Sequence, residues 1–245
     1  MSNNQVAFIT GGNRGLGFET ARELGEKGIT VVLGVRDLAK GDTAAAKLRA
    51  KGISAEAIRY DASDPSTDIE VFNYFQLKYG RLDILVNNAG ILKEELAGGN
   101  TAVSISSKAL RETFETNLFA VVSLTQTLLP LIQKAPAGRI VNLSSVLGSL
   151  TLHSAADSPI ASVKTFAYDT SKTALNSFTI HLAQALKDTP IKVNSAHPGW
   201  VKTDMGGEAA PLELSEGGKT SAQLATLGSD GPTGGFFHLG EALPW

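Results

Sequence analysis

Short β-branched runs alternate with longer segments of helical periodicity from one end of the chain to the other, and this alternation constrains the fold more than any other feature. A strand covered on both faces reads as a nearly continuous apolar run, and a parallel neighbour can be reached only through a crossover, usually a helix. The pattern predicts strands near Val6 to Thr10, Thr30 to Val35, Ala55 to Tyr60, Ile84 to Asn87, Ile140 to Leu143, Lys192 to Ala196 and Gly235 to Phe237. Helices are expected to begin near Gly15, Leu38, Pro65, Ser107, Tyr168 and Leu214. Right-handed crossovers make this an α/β fold, a doubly wound parallel sheet of about seven strands with helices on both faces and a ligand crevice at the strands' carboxyl ends. No Pro/Ser-rich linker or shift in composition divides residues 1–245, so they read as a single domain. The least regular stretches, Leu92 to Ser106, Gly148 to Phe166 and Met205 to Leu214, each leave the carboxyl end of an expected strand. Such loops wall an active site or are tolerated surface insertions.

Several function classes fall away on composition. With Lys+Arg 22 against Asp+Glu 24, the chain has no electrostatic footprint for nucleic acid or an anionic membrane. The absence of cysteine excludes disulfides, thiol nucleophiles and cysteine metal ligands. His153, His181, His197 and His238 are too scattered for a metal-ligand spacing. The start, Met1-Ser2-Asn3-Asn4-Gln5, lacks the basic and apolar regions of a signal peptide, so cytoplasmic residence is expected. The apolar stretch from Leu118 to Ile132 is interrupted by Ser123, Thr125, Gln126, Thr127 and Pro130 and reads as a buried helix rather than a bilayer span.

Two local patterns carry chemistry. After the first strand, Thr10-Gly11-Gly12-Asn13-Arg14-Gly15-Leu16-Gly17 leads into a helical run. Glycines there let the backbone turn tightly and approach a pyrophosphate, to which a helix N-terminus offers free N–H groups; a glycine cluster that only turns the chain is the competing reading. Tyr168 and Lys172 stand four apart, which places a phenol and an ammonium side by side on one helix face. A nearby positive charge stabilises a phenolate, so the pair can give and take a proton, although a solvated pair at this spacing is common. Further on, Pro198-Gly199 breaks regular structure after a strand, where a ligand could approach.

Taken in order, the T-G-x-x-x-G-x-G turn, Asp61, Asn87-Asn88-Ala89-Gly90, Asn117, Ser144-Ser145, Tyr168, Lys172 and Pro198-Gly199 resemble the short-chain dehydrogenase/reductase family over nearly the whole chain. The resemblance is nearest to its NADPH-dependent carbonyl reductase branch. It implies a single-domain Rossmann-type fold binding a nicotinamide dinucleotide, with Gly11, Asn13, Gly15, Leu16 and Gly17 at the phosphates. Asp61 and Ala62 would flank adenine, and Asn87, Ala89 and Gly90 would line the ribose and cleft floor. Pro198, Gly199, Val201 and Thr203 would hold the nicotinamide carboxamide and touch the pyrophosphate.

For the reaction, the resemblance implies Tyr168 as general acid or base, Lys172 as the group that lowers its pKa and binds the nicotinamide ribose, and Ser145 as hydrogen-bond donor to the substrate oxygen. Asn117 would hold a water linking Lys172 to solvent. Adjacent strand residues point to opposite faces, so Ser144 is read as structural. Arg36, at the end of the second strand, and Arg14, in the glycine turn, are placed to clamp a 2′-phosphate, favouring NADP(H); Asp37 could instead hold a ribose.

The interval from Ser145 to Tyr168 exceeds the usual family interval, with the extra residues expected within His153 to Thr165. In the carbonyl reductase branch a longer insertion here accompanies monomers, so both monomer and homodimer stay open. Leu92, Leu147, His153, Phe166, Trp200 and Met205 are the expected pocket walls, suiting an apolar or aromatic carbonyl. The resulting expectation is reversible NADPH-dependent reduction of a ketone or aldehyde, with no metal. The alternatives are an alcohol, steroid or sugar dehydrogenase working in oxidation and a dinucleotide-sensing regulator without chemistry.

Overall fold

The computed structural model describes residues 5–94 and 101–245. Residues 1–4 of the N-terminal reading and residues 95–100 of the loop expected over Leu92 to Ser106 lie outside the described residues. The chain runs β1 (Val6–Thr10), α1 (Gly15–Glu26), β2 (Thr30–Val35), α2 (Leu38–Arg49), β3 (Ala55–Arg59), α3 (Ser66–Lys78) and β4 (Ile84–Asn87). It continues through α4 (Ser107–Phe114), a π-turn (Glu115–Phe119), α5 (Ala120–Ile132), β5 (Arg139–Leu143), a 3-10 turn (Val146–Gly148), α6 (Leu150–Ser154) and α7 (Phe166–Ala185). It closes with β6 (Lys192–Ala196), a second 3-10 turn (Leu214–Glu216), α8 (Lys219–Ala225), β7 (Phe236–His238) and β8 (Glu241–Ala242).

The sheet order is β3-β2-β1-β4-β5-β6-β7-β8, parallel throughout except for the antiparallel β7–β8 pair. The chain winds outward from β1 to β3 and then returns to place β4 on the other side of β1. That reversal opens a crevice between the carboxyl ends of β1 and β4, where ligands settle in such sheets.

The two-residue period of the strands builds a core on each face. Ala7, Ile9, Val31, Leu33, Ile84, Val86 and Val141 face a cluster completed by residues of α1, α2 and α8. Val6, Phe8, Val32, Leu85 and Ile140 face the other way, onto α3, α5 and α7. The interrupted apolar stretch indeed forms a buried helix, with Leu124, Leu128, Leu131 and Ile132 of α5 fully enclosed. Among the described residues, no helix is long and apolar enough to cross a membrane.

Three expected features change by more than one residue. The sheet has eight strands rather than seven, because β8 is a two-residue exposed addition too short to show a period. The helix expected from Leu214 is only a 3-10 turn, and the true helix starts at Lys219. Between them the chain passes so close to α1 that a Cβ on Gly217 would stand 2.2 Å from Leu16 and one on Gly218 2.6 Å from the Glu19 main chain. α7 begins at Phe166, ahead of Tyr168, and the stretch before it contains the short α6.

Gly34 interrupts the β-branched run of β2 because the Phe8 ring occupies its side-chain space, where a Cβ would be 2.6 Å from Phe8 Cζ. That ring packs edge-on against Tyr60 and Phe75. Phe8→Ala is therefore predicted to destabilise the fold by about 3–5 kcal/mol, read from urea unfolding; an unchanged midpoint contradicts this packing.

Candidate active site

The glycine turn sits at the carboxyl end of β1 with Gly11 and Gly15 at φ +65 and +56, a region that side chains disfavour. Gly17 permits a closer approach still, since a Cβ there would stand 2.5 Å from Gly11 O and from Asn88 Nδ2. By contrast, a Cβ at Gly15 would meet nothing within 4 Å, so the turn presents bare backbone to open space there. Asn13 is half-buried beside it, and Leu16 packs beneath it near Gly217.

Two residues outside the expected set hold this turn in place. Thr10 Oγ1 accepts from Asn88 N at 3.0 Å and Ala89 N at 2.9 Å, and Asn88 Nδ2 donates to Thr10 O at 2.7 Å. The ends of β1 and β4 are thereby stitched together. Asn87 turns the other way: its Nδ2 donates to Thr125 Oγ1 and Asn142 Oδ1 at 3.1 and 2.9 Å. Asn142 continues the buried chain to Thr179 of α7 at 2.9 Å, and Thr179 contacts Ser195 at 2.8 Å. The Asn87 Nδ2 group thus ties β4 to α5 and, through Asn142, to α7, while its buried Oδ1 has no partner among the described residues.

At the β2 end, Arg36 is exposed and has no hydrogen bond or ion pair among the described residues. Asp37 is engaged as the cap of α2, accepting from Lys40 N at 3.2 Å and lying 3.6 Å from the Lys40 ammonium. Arg14 pairs with Asp204 from the segment beyond β6, both largely exposed. Asp61 turns onto its own loop, accepting from Ser63 N at 3.0 Å and Ser63 Oγ at 2.8 Å, while Ala62 packs against the apolar core.

The segment after β6 curls back on itself. Pro198 leads into Gly199, whose φ is +89 and whose Cβ would strike Leu212 at 2.4 Å. Val201 bridges Leu212, and Thr203 Oγ1 accepts from Gly206 N at 2.9 Å. Trp200 and Met205, two of the expected pocket walls, lie partly exposed on this segment, with Trp200 Nε1 donating to Gly206 O at 2.8 Å.

Across the crevice stands the cluster expected to carry the reaction. Tyr168, Lys172, Ser145 and Asn117 are all buried. Lys172 Nζ donates to Leu143 O at 2.8 Å and lies 5.6 Å from the centroid of the Tyr168 ring. A Cβ on Gly90 would be 3.4 Å from Asn117 Oδ1 and 3.5 Å from Lys172 Nζ, so these three residues meet at one point. Asn117 lies in the π-turn, a widening frequent at functional sites. Its amide grips the main chain of Ile91, accepting from N at 2.8 Å and donating to O at 2.9 Å, and also donates to Ser171 Oγ at 3.0 Å.

Burial pushes the Tyr168 phenol up to about 12, while a hydrogen bond with Ser145 pulls it down and the Asp169 charge raises it. Burial also lowers the Lys172 ammonium to about 8. Burial is thus the leading cause at both groups, and the downward pull expected of Lys172 is not among the causes that shift Tyr168 in this structure. Ser145 Oγ also accepts from Leu147 N at 3.2 Å, whereas the buried Ser144 hydroxyl has no partner among the described residues, consistent with opposite directions for the two serines. Gly148, two residues past Val146, lets α7 close in, since a Cβ there would be 2.9 Å from the Lys172 main chain.

The remaining expected wall residues divide by chemistry. Leu92, Leu147 and Phe166 are half-buried around this end of the sheet. His153 is held in a polar knot: its Nε2 lies 2.9 Å from Leu147 O and 3.3 Å from Asp169 Oδ2, and its Nδ1 is 2.7 Å from Lys164 Nζ. It braces the insertion before α7 as well as bordering the site.

Comparisons with known proteins follow this architecture. Carbonyl reductase (NADPH) 1 of Mus musculus is 31% identical, covering 100% of this chain and 99% of its own. (+)-Neomenthol dehydrogenase of Capsicum annuum is 32% identical, covering 98% and 97%. The structure of an NADPH-bound carbonyl reductase from chicken fatty liver superposes with a TM-score of 0.84 at 28% identity, covering 99% of each chain. The model of the short chain dehydrogenase family matches residues 5–213, from ahead of the glycine turn to beyond the Pro198–Gly199 segment, and this chain belongs to that family.

Proposed function

We propose that the chain, as one domain over 1–245, is an NADPH-dependent carbonyl reductase converting a ketone or aldehyde to an alcohol. The observation that carries this reading is the convergence of Ser145 and Lys172 on the Tyr168 side chain, with Lys172 Nζ beside Gly90, one strand away from the glycine turn. Relatives and structural neighbours described as carbonyl reductases, some with NADPH, support it. The relative named as a dehydrogenase favours a second reading, the same reaction run as alcohol oxidation.

The residues present fit a dinucleotide phosphate. Gly15 leaves open space where a side chain would stand, Arg36 has no ion-pair partner among the described residues, and Asp37 is engaged as a helix cap rather than free for a ribose. Gly11, Asn13, Gly15, Leu16 and Gly17 would hold the pyrophosphate, Arg14 and Arg36 the 2′-phosphate, Asp61 and Ala62 the adenine, and Lys172 the nicotinamide ribose. When bound, the cofactor supplies a hydride to the carbonyl carbon.

Within the protein, Ser145 donates a hydrogen bond to the substrate oxygen and orients it toward Tyr168. The Tyr168 hydroxyl then gives its proton to the developing alkoxide. The Lys172 ammonium stabilises the phenolate that remains, which helps most because both groups are buried. Leu92, Leu147, Phe166, Trp200 and Met205 favour an apolar or aromatic carbonyl.

Tyr168→Phe is predicted to lower kcat/KM for NADPH-dependent ketone reduction by about 10²–10⁴-fold while leaving NADPH affinity unchanged; full activity in that variant rules the mechanism out. Because Lys172 titrates at about 8, its charge is complete below that pH and lost above it. Reductive kcat/KM, followed from pH 6 to 10, should therefore fall as pH rises through about 8, and a rate that climbs across that interval contradicts the role of the ammonium. Arg36→Ala should weaken NADPH binding by about tenfold or more and leave NADH binding nearly unchanged; equal losses for both would remove the arginine from the 2′-phosphate.

A further inference from the structure

The first turn of α7, the helix that carries Tyr168 and Lys172, needs acceptors for N–H groups without partners inside the helix. Thr165 occupies the cap position but does not serve these groups. Its hydroxyl donates to Asp169 Oδ1 at 2.6 Å and its N–H donates to Asp169 Oδ2 at 3.0 Å. The acceptors come instead from a distant loop: Glu94 Oε1 accepts from Ala167 N at 3.0 Å and Oε2 accepts from Tyr168 N at 2.8 Å. These are the second and third helical positions, the ones an ordinary cap side chain would reach.

Glu94 is 6% exposed, so this is a buried carboxylate with both oxygens held by main-chain donors. Hydrogen bonds to a charged acceptor are stronger than neutral ones, and a negative charge suits the positive end of the helix dipole. The same loop is fastened at its other end, where Asn117 grips both polar groups of Ile91. Leu92, an expected pocket wall, lies between the two fastenings. A clamp thus runs from the π-turn through residues 91–94 to the peptide group of Tyr168 itself.

We propose that Glu94 is a positioning residue for the reaction, setting α7 so that the Tyr168 hydroxyl meets the substrate oxygen beside Ser145. This rests on the carbonyl reductase reading. Glu94 is assigned no proton transfer to the substrate: it is buried, and both of its oxygens are directed onto main-chain N–H groups of α7. Its effect passes through the position of Tyr168, and displacements of about 1 Å at a reacting group can cost two orders of magnitude in rate.

Two variants and the wild-type chain test this, with NADPH and a panel of ketones and aldehydes, alongside NADPH binding by fluorescence and thermal unfolding. Glu94→Gln keeps the length but turns a donor toward one of the two N–H groups. Glu94→Asp keeps the charge and both acceptors but is one methylene short. The expected result is a fall in kcat of about 10–100-fold for Glu94→Gln and a smaller fall for Glu94→Asp, with substrate KM and NADPH affinity close to wild type. Unchanged kcat with a lowered unfolding temperature would make Glu94 a structural cap only and overturn the proposal. NADPH affinity falling in step with kcat would overturn it by assigning Glu94 to the cofactor side. Should Glu94→Gln fail to fold, Glu94→Asp decides by the same criteria. No turnover by the wild-type chain with any substrate overturns the reductase reading itself, and this role with it.

Discussion

The buried ammonium of Lys172, donating to the carbonyl of Leu143 at the end of β5, is the constraint on which the rest of the site depends. A charge taken out of water is costly unless it is paired or hydrogen-bonded, so its position is narrowly set. The glycines around it follow from that position. Gly90 leaves room for Nζ itself, and Gly148 lets the main chain at Lys172 approach the turn after Ser145. Tyr168, one helical turn earlier, is then delivered to the same place, and burial that lowers Lys172 to about 8 leaves an ammonium able to lose its charge near physiological pH.

The glycine-turn side is organised from the sheet's reversal point. β1 and β4 lie side by side, and Thr10 with Asn88 ties their ends together directly beneath the glycine turn. The buried chain from Asn87 through Asn142 to Thr179 ties α7 to β4 and β5. One set of polar groups thus orders the turn and another orders α7, with neighbouring asparagines serving each.

Much of this was legible in the sequence because it is written in local patterns. The strands show as short, nearly continuous apolar runs, α5 as an apolar stretch with polar interruptions, and the Tyr168–Lys172 pair as a four-residue spacing. What escaped has no local period. The acid that caps α7 lies 73 and 74 residues before its partners, so no window around Phe166 could reveal Glu94. Asn88 stood beside the chosen Asn87, and only tertiary packing decides which amide turns toward the glycine turn. The short α6 is held by a tail contact, Thr151 N donating to Trp245 O at 2.8 Å, and β8 by its pairing with β7. The balance between burial and charge at Tyr168 also needed the third dimension, because spacing shows a neighbour but not the loss of water around it.

In the proposed reaction one proton, from Tyr168, moves to the substrate oxygen as the carbonyl is reduced. The most direct test is a single-turnover reduction in mixtures of light and heavy water, at a pH well below that at which Lys172 loses its proton. The account predicts a normal solvent isotope effect that varies linearly with the deuterium fraction, the signature of a single proton in flight. A reduction rate indifferent to heavy water in the step that consumes the carbonyl, or a curved dependence requiring several protons, would contradict it.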